Sequence, residues 1–282
     1  MDIGLGLPIS NPARLTEWAT RAESAGFHTL ALLDRLAYDN PEPLVALSVL
    51  AGATTRIRLQ TEVLLGPLRS TALLAKQVAT LQRMSGGRFV LGIGVGGRED
   101  DHAAAGTPLG RRGALLDAQL TDLRAIWRGK PYRGAHVGPR ITAPPVLIGA
   151  FAPAALRRVA VHGDGFLCAA PLRWAGGPVE TVREQWASAG REGRPRLVCQ
   201  INVAAAPSVE HARRAIADYY AFTGRDDWGA PLSDPAEIAD TVAAYREFGA
   251  DELVLYCYGE DPAQIDALAD VALGAAGPPS SK

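Results

Sequence analysis

The sequence predicts an α/β fold, a (β/α)8 barrel of the TIM type. Three observations predict it. Short apolar runs alternate with longer amphipathic ones almost from end to end, and eight of these runs read as strands. The length, 282 residues, fits one such barrel, which typically needs about 250. Several apolar runs show no polar alternation, as expected of strands covered on both faces of a parallel sheet. An open doubly wound sheet shows the same alternation with fewer strands.

The strands are expected at residues 3–7, 29–33, 57–64, 88–95, 146–149, 165–169, 197–204 and 252–256, all rich in Val, Leu and Ile. The helices are expected at 12–25, 43–53, 71–84, 112–128, 153–162, 177–190, 209–222, 235–248 and 262–274. Asn11-Pro12, Asp234-Pro235 and Asp261-Pro262 each place an N-cap residue before a proline at the first helical position. Gly26, Gly190, Gly249 and Gly274 follow periodic segments and read as helix stops. A polar insertion (96–110) follows the fourth strand, a second (223–233) follows the seventh, and 129–145 is an irregular connector. Residues 1–276 read as a single barrel domain and 277–282, GPPSSK, as a disordered tail.

Composition removes several function classes. Hydrophobic residues make up 48% and charged residues 21%, which is ordinary globular usage. Lys+Arg is 29 against Asp+Glu 30, so no basic face is expected for nucleic acid. Only Lys76, Lys130 and Lys282 are lysines, and alanine is abundant, a usage that reflects a GC-rich coding genome. Cys168, Cys199 and Cys257 lie far apart in apolar runs, without disulfide or metal-ligand spacing. No run approaches 18 apolar residues and the first ten carry no signal-peptide pattern, so a cytoplasmic protein with no membrane partner is expected.

In a barrel of this type the chemistry sits at the C-terminal ends of the strands. Gly92, Gly94 and Gly97 spell G-x-G-x-x-G, but after the fourth strand and before a polar stretch, so they are not read as a dinucleotide fingerprint. Gly149-Ala150-Phe151-Ala152 ends the fifth strand and opens a helix, a geometry that suits a phosphate, with Arg157 and Arg158 near enough to add charge. An ordinary βα turn is the competing reading. Asp34-Arg35 is a charged pair at the barrel mouth, either a simple ion pair or a substrate clamp. Glu62 interrupts an apolar strand, so it needs a partner, such as Arg35, or a raised pKa. Of the five histidines only His102 falls in a loop of the catalytic face, and a surface role is expected for it. No nucleophile elbow, H-E-x-x-H, P-loop or C-x-x-C occurs, and no metal site is expected.

The ordered stretches ARLTEWATRAESAGFHTLALLD, the run at 42–97 containing TEVLLGPLRSTALLAKQVATLQRMSGGRFVLGIGVGG, AGTPLGRRGALLDAQLTDLRAIWRG and PPVLIGAFAPAALRRVAVHGDGF resemble the bacterial-luciferase-like superfamily of flavin- and deazaflavin-dependent oxidoreductases. The resemblance implies a luciferase-like TIM barrel that holds the deazaflavin F420, or FMN, flat in its mouth. It implies a non-proline cis peptide at Glu62-Val63 behind the ring and the cofactor phosphate at Gly149, Ala150, Phe151 and Ala152. It also implies that Thr61, Glu62, Val63, Gly94, Val95 and Gly96 contact the cofactor. The chain departs from the family at Arg35, where His is usual, at Glu62, where Gly is usual, at Ala150-Phe151, where Gly-Ser is usual, and at Ala118, where Glu is usual.

The leading expectation is therefore an F420-dependent oxidoreductase passing a hydride to or from a small organic substrate. Asp34, Arg35 and Glu62 are the expected catalytic residues. One alternative is an FMNH2-dependent monooxygenase served by a flavin reductase, and another is a non-catalytic flavin-binding barrel. By resemblance the protein is expected to be a homodimer.

Overall fold

The computed structural model describes residues 1–7, 12–224 and 230–276. Within them the chain forms a closed parallel barrel with an outer ring of helices. The strands are β1 (Asp2–Gly6), β2 (Thr29–Leu32), β3 (Arg58–Thr61), β4 (Leu64–Leu65), β5 (Phe89–Gly94), β6 (Val146–Gly149), β7 (Gly165–Cys168), β8 (Arg196–Val203) and β9 (Glu252–Cys257). β3 and β4 are two pieces of one stave, so the barrel has eight. They pair in the order β3-β2-β1-β9-β8-β7-β6-β5-β4, and β3 also pairs with β5, which closes the barrel. Every pairing is parallel.

The helices are α1 (Leu15–Ala25), α2 (Pro43–Ala53), α3 (Thr71–Met84), α4 (Glu99–Ala104), α5 (Arg112–Trp127), α6 (Pro153–His162), α7 (Leu172–Ser188), α8 (Val209–Tyr220), α9 (Pro235–Phe248) and α10 (Gln264–Ala275). Local chemistry starts and stops many of them. Asp234 accepts from the backbone N–H of Ala236 and Glu237 and caps α9. Gly26 and Gly249 close α1 and α9 in the left-handed conformation that glycine adopts without a steric penalty.

The expected boundaries fail at several points, each for a local reason. The third strand breaks after Thr61, where the Glu62-Val63 bond is cis, and resumes at Leu64. The polar stretch after β5 is not a loop throughout, because Glu99, Asp100 and Asp101 suit the first turn of a short helix, α4. α7 starts at Leu172, five residues before the expected start at 177, and Pro178 falls inside it rather than in its first turn. Gly274 lies within α10 rather than ending it. Asp261 still accepts from the N–H of Ala263, but the helix begins two residues later than expected. The expected cap Asn11, residues 225–229 of the insertion at 223–233 and the tail at 277–282 lie outside the described residues.

Two apolar layers result. The larger packs the outer face of the staves, with Leu30, Leu32, Leu253 and Leu255, against the helices. The smaller fills the barrel, with Ala31, Val90, Leu147, Leu167, Val198, Val254 and Tyr256, and continues into Ala212, Ile216 and Tyr219 of α8. α8 is thus an additional helix laid across the barrel mouth. The opposite end is closed by ion pairs of Arg58 and Arg196 with Asp2 and Glu252 at 2.7–3.4 Å. The three cysteines are buried. No helix among the described residues is long and apolar enough to cross a membrane.

Candidate active site

A cavity of about 450 Å³ lies at the C-terminal ends of the staves, on the catalytic face expected of this fold. Its floor is built from the break in the third stave. The Thr61 hydroxyl donates to the carbonyl of Gly92 at 2.7 Å, and a side chain at Gly92 would stand 2.0 Å from the Thr61 carbonyl oxygen. Glycine is therefore required for the two staves to approach. Val63 projects between Gly94 and Gly149, where an added Cβ would meet its methyl groups at 2.8 Å in either case. Nine of the ten residues expected to contact a cofactor line this cavity: Glu62, Val63, Gly94, Val95, Gly96, Gly149, Ala150, Phe151 and Ala152. Thr61 does not; it is fully buried behind the floor, where its hydroxyl ties β3 to β5.

The three expected catalytic residues also line the cavity, but in different electrostatic states. Glu62 is buried, and burial pushes its carboxyl up to about 8. Gln60 Nε2 donates to its Oε2 at 3.0 Å, and the charge of Glu252 pushes in the same direction as burial. Arg35 is not its partner. The Arg35 guanidinium is held by Asp101 at 2.6 Å and Asp100 at 2.9 Å, while its Nη1 is buried without a hydrogen-bond partner. Asp34 and Arg35 do not pair with each other either. Asp34 takes two hydrogen bonds from Arg69, at 2.6 and 3.0 Å, and one from the N–H of Leu65 at 2.7 Å. Asp34 thereby pins β4 after the break.

Asp101 is a site residue that no local sequence pattern singles out. It accepts from Arg35 Nε and from the N–H of Leu36 and Ala37, so it fixes the loop after β2 from a helix that reads as a loop. His102 is buried, not at the surface, and its Nε2 lies 3.1 Å from the Val95 carbonyl oxygen. Gly96 has φ +71 and sits against that imidazole.

At one end of the cavity Ala150, Phe151 and Ala152 lead into α6, whose N-cap, Ala152, supplies no side-chain hydrogen bond. The start of a helix left open in this way favours an anion. Arg112 lines the same cavity and has a buried Nε without a hydrogen-bond partner, whereas Arg35 and Arg98, which also line it, are held by Asp100 and Asp101 and by the Tyr219 carbonyl. Arg157 is exposed, and Arg158 turns away to Asp117. The expected charge is present, but from α5 rather than α6. The far wall comes from α8 and the turn after it, with Tyr219, Tyr220 and Phe222. Arg98 lies over Tyr219 and Phe222, at 4.6 and 3.7 Å from their ring centres, and bonds to the Tyr219 carbonyl. A glycine-floored slot with aromatic and cationic walls and an anion-binding end fits a flat ring joined to a phosphate. Among the described residues, none group as ligands for a metal ion.

The luciferase-like monooxygenase family model matches residues 2–247, and the chain belongs to that family. An uncharacterised Mycobacterium tuberculosis protein is 34% identical over 169 residues, and the match spans 56% of this chain and 60% of that protein. An F420-dependent glucose-6-phosphate dehydrogenase of Amycolatopsis mediterranei is 28% identical over 271 residues, covering 86% of this chain and 78% of the relative. Among solved structures, an F420-dependent secondary alcohol dehydrogenase with an F420-acetone adduct superposes with a TM-score of 0.82 at 18% identity, covering 98% of this chain and 99% of that one. The monooxygenase RslO1 of Streptomyces bottropensis gives 0.78 at 20% identity, covering 97% and 99%. At those identities the structural likeness establishes the luciferase-like barrel.

Proposed function

We propose that the protein is an F420-dependent oxidoreductase that moves a hydride between the deazaflavin and a small organic substrate such as an alcohol or ketone, an imine or an activated C=C group. The observation that carries this reading is Glu62, a carboxyl held near pKa 8 in the wall of the glycine-floored cavity. When bound, the deazaflavin supplies or accepts the hydride. Reduction of a carbonyl then needs one proton at oxygen, and Glu62, protonated at neutral pH, gives it up. In the oxidative direction the ionised Glu62 takes the proton back. Gln60 holds the carboxyl in place. Val63, Gly94 and Gly149 offer a surface flat enough for the ring. Arg112 and the start of α6 would hold its phosphate.

The F420 relatives support the deazaflavin over FMN. The monooxygenase neighbours support a second reading, an FMNH2-dependent oxygenase fed by a flavin reductase. Titration of the apo-protein with F420 and with FMN, followed by visible absorbance, separates them. We expect F420 to bind at least tenfold more tightly; tighter FMN binding, with oxygen uptake in the presence of FMNH2, selects the oxygenase.

We also propose a homodimer built on α2. That helix, PLVALSVLAGA, is apolar apart from Ser48, whose hydroxyl turns back to the Leu44 carbonyl, and Val45 and Val49 stand one turn apart, 62% and 59% exposed. A helix with no polar face is normally covered on every side.

A further inference from the structure

Beyond Gln200 the cavity meets a second chamber of about 340 Å³, and Ala169, Gln200 and Tyr220 line both. Parallel barrel strands are normally covered on both faces. In β8, however, Gln200, Ile201 and Asn202 are only half buried, three residues in succession. The chamber runs along them. Its other walls are the start of α7, the α9 residues Thr241 and Tyr245, and Leu232, which is bridged to Val203.

The chemistry of the walls decides what fits. Leu172, Trp174, Ile201, Leu232 and Tyr245 present carbon and ring surface, whereas Gln200, Asn202 and Thr241 offer amide and hydroxyl groups. Arg173 is the sole charged side chain among the described lining residues. It is exposed and stacked 4.2 Å from the ring centre of Trp174. A sugar phosphate carries a dianion, and a charged group is costly to enclose without paired charges around it. One exposed guanidinium does not compensate for that. An apolar ring loses little on entry and gains from the area it buries.

We propose that this chamber binds the non-reacting body of the substrate, and that this body is a neutral, ring-bearing apolar group whose carbonyl or hydroxyl end reaches past Gln200 toward Glu62. The proposal rests on the reading of the Glu62 cavity as the reaction site. It sets the chain apart from the sugar-phosphate dehydrogenases among its relatives.

The test uses 4-phenyl-2-butanone as the probe, with its dissociation constant measured by saturation-transfer NMR on the full chain without cofactor. Thr241→Trp fills the chamber from α9, and Ala230→Trp fills it from an exposed position that tolerates change if the first variant fails to fold. We expect saturable binding to the wild type, weakened at least tenfold by the filling variants, with no displacement by glucose 6-phosphate. F420 affinity in the folded variants should stay within twofold of the wild type. No saturable binding to the wild type, probe binding that the filled chamber leaves unchanged, or displacement by glucose 6-phosphate overturns the proposal. Because the probe is read without cofactor, failure of the chamber is distinguished from failure of the protein to bind F420.

Discussion

A carboxyl held at about 8 is mostly protonated at neutral pH, and two consequences follow for Glu62. Carbonyl reduction should lose rate as pH rises through about 8, because the proton donor ionises. Glu62→Gln keeps the shape and removes the proton, so turnover should fall by about 10²-fold or more while the F420 dissociation constant stays within twofold. Wild-type turnover in that variant removes the role. Stability gives a second readout. The folded-state value lies above the ordinary 4.5, so the neutral group's contribution is complete below pH 4.5 and is lost as pH climbs toward 8. The loss is about 1.4 kcal/mol per pH unit across that window. Glu62→Gln should therefore raise Tm over the wild type at pH 9 and much less at pH 5. Arg35 belongs to the same scale. Its pairing with Asp101 buries both partners, at 4% and 1% side-chain exposure. Arg35→Met leaves the buried Asp101 carboxylate without a counter-charge, held only by the Leu36 and Ala37 N–H groups, and should lower stability by about 3 kcal/mol in a denaturant titration.

At the scale of elements, the entry to β3 depends on one side chain from another helix. Glu23, near the end of α1, accepts from the N–H groups of Thr55, Arg56 and Ile57 at 2.7–3.1 Å. These bonds outweigh the effect of partial burial and hold its carboxyl down at about 2. The stabilisation is present above the ordinary value of 4.5 and disappears as pH falls toward 2. Glu23→Ala should lower stability by about 1–2 kcal/mol at pH 7 and by little at pH 2.5, as read from thermal melts at the two pH values. α4 and α8 make the same point for the site. They are additions to the alternating βα pattern, and they supply Asp101, Tyr219 and Tyr220 to the cavity.

For the whole molecule, the exposed apolar face of α2 is the feature an isolated barrel leaves unexplained. The pair Val45→Asp and Val49→Asp should convert the proposed dimer to a monomer in light scattering, without changing the far-ultraviolet spectrum. A wild-type monomer under the same conditions removes that proposal. The opposite end of the barrel needs no partner, because Asp2, Arg58, Arg196 and Glu252 neutralise one another there.

The order of strands and helices was legible in the sequence because each stave is an apolar run and each helix a periodic one, with caps such as Asp234 and stops such as Gly26 printed locally. Residue type placed Glu62, Gly94 and Gly149 at the barrel mouth for the same reason: the end of a strand is a local property. Partnership was not legible. Nothing in Asp34-Arg35 says that one residue is held by Arg69 and the other by Asp100 and Asp101, some 65 residues away, or that Gln60 rather than Arg35 stands beside Glu62. Nor does any local pattern show that Arg112 lines the cavity while Arg158 turns away to Asp117. The barrel and an acid set into an apolar strand could be read from the chain alone, because periodicity and residue type are written residue by residue, while the glycines behind a flat ring were implied only by the family resemblance. Which charges are neutralised and which stay available came from folding, because closing the barrel brings together groups whose separation along the chain carries no signal.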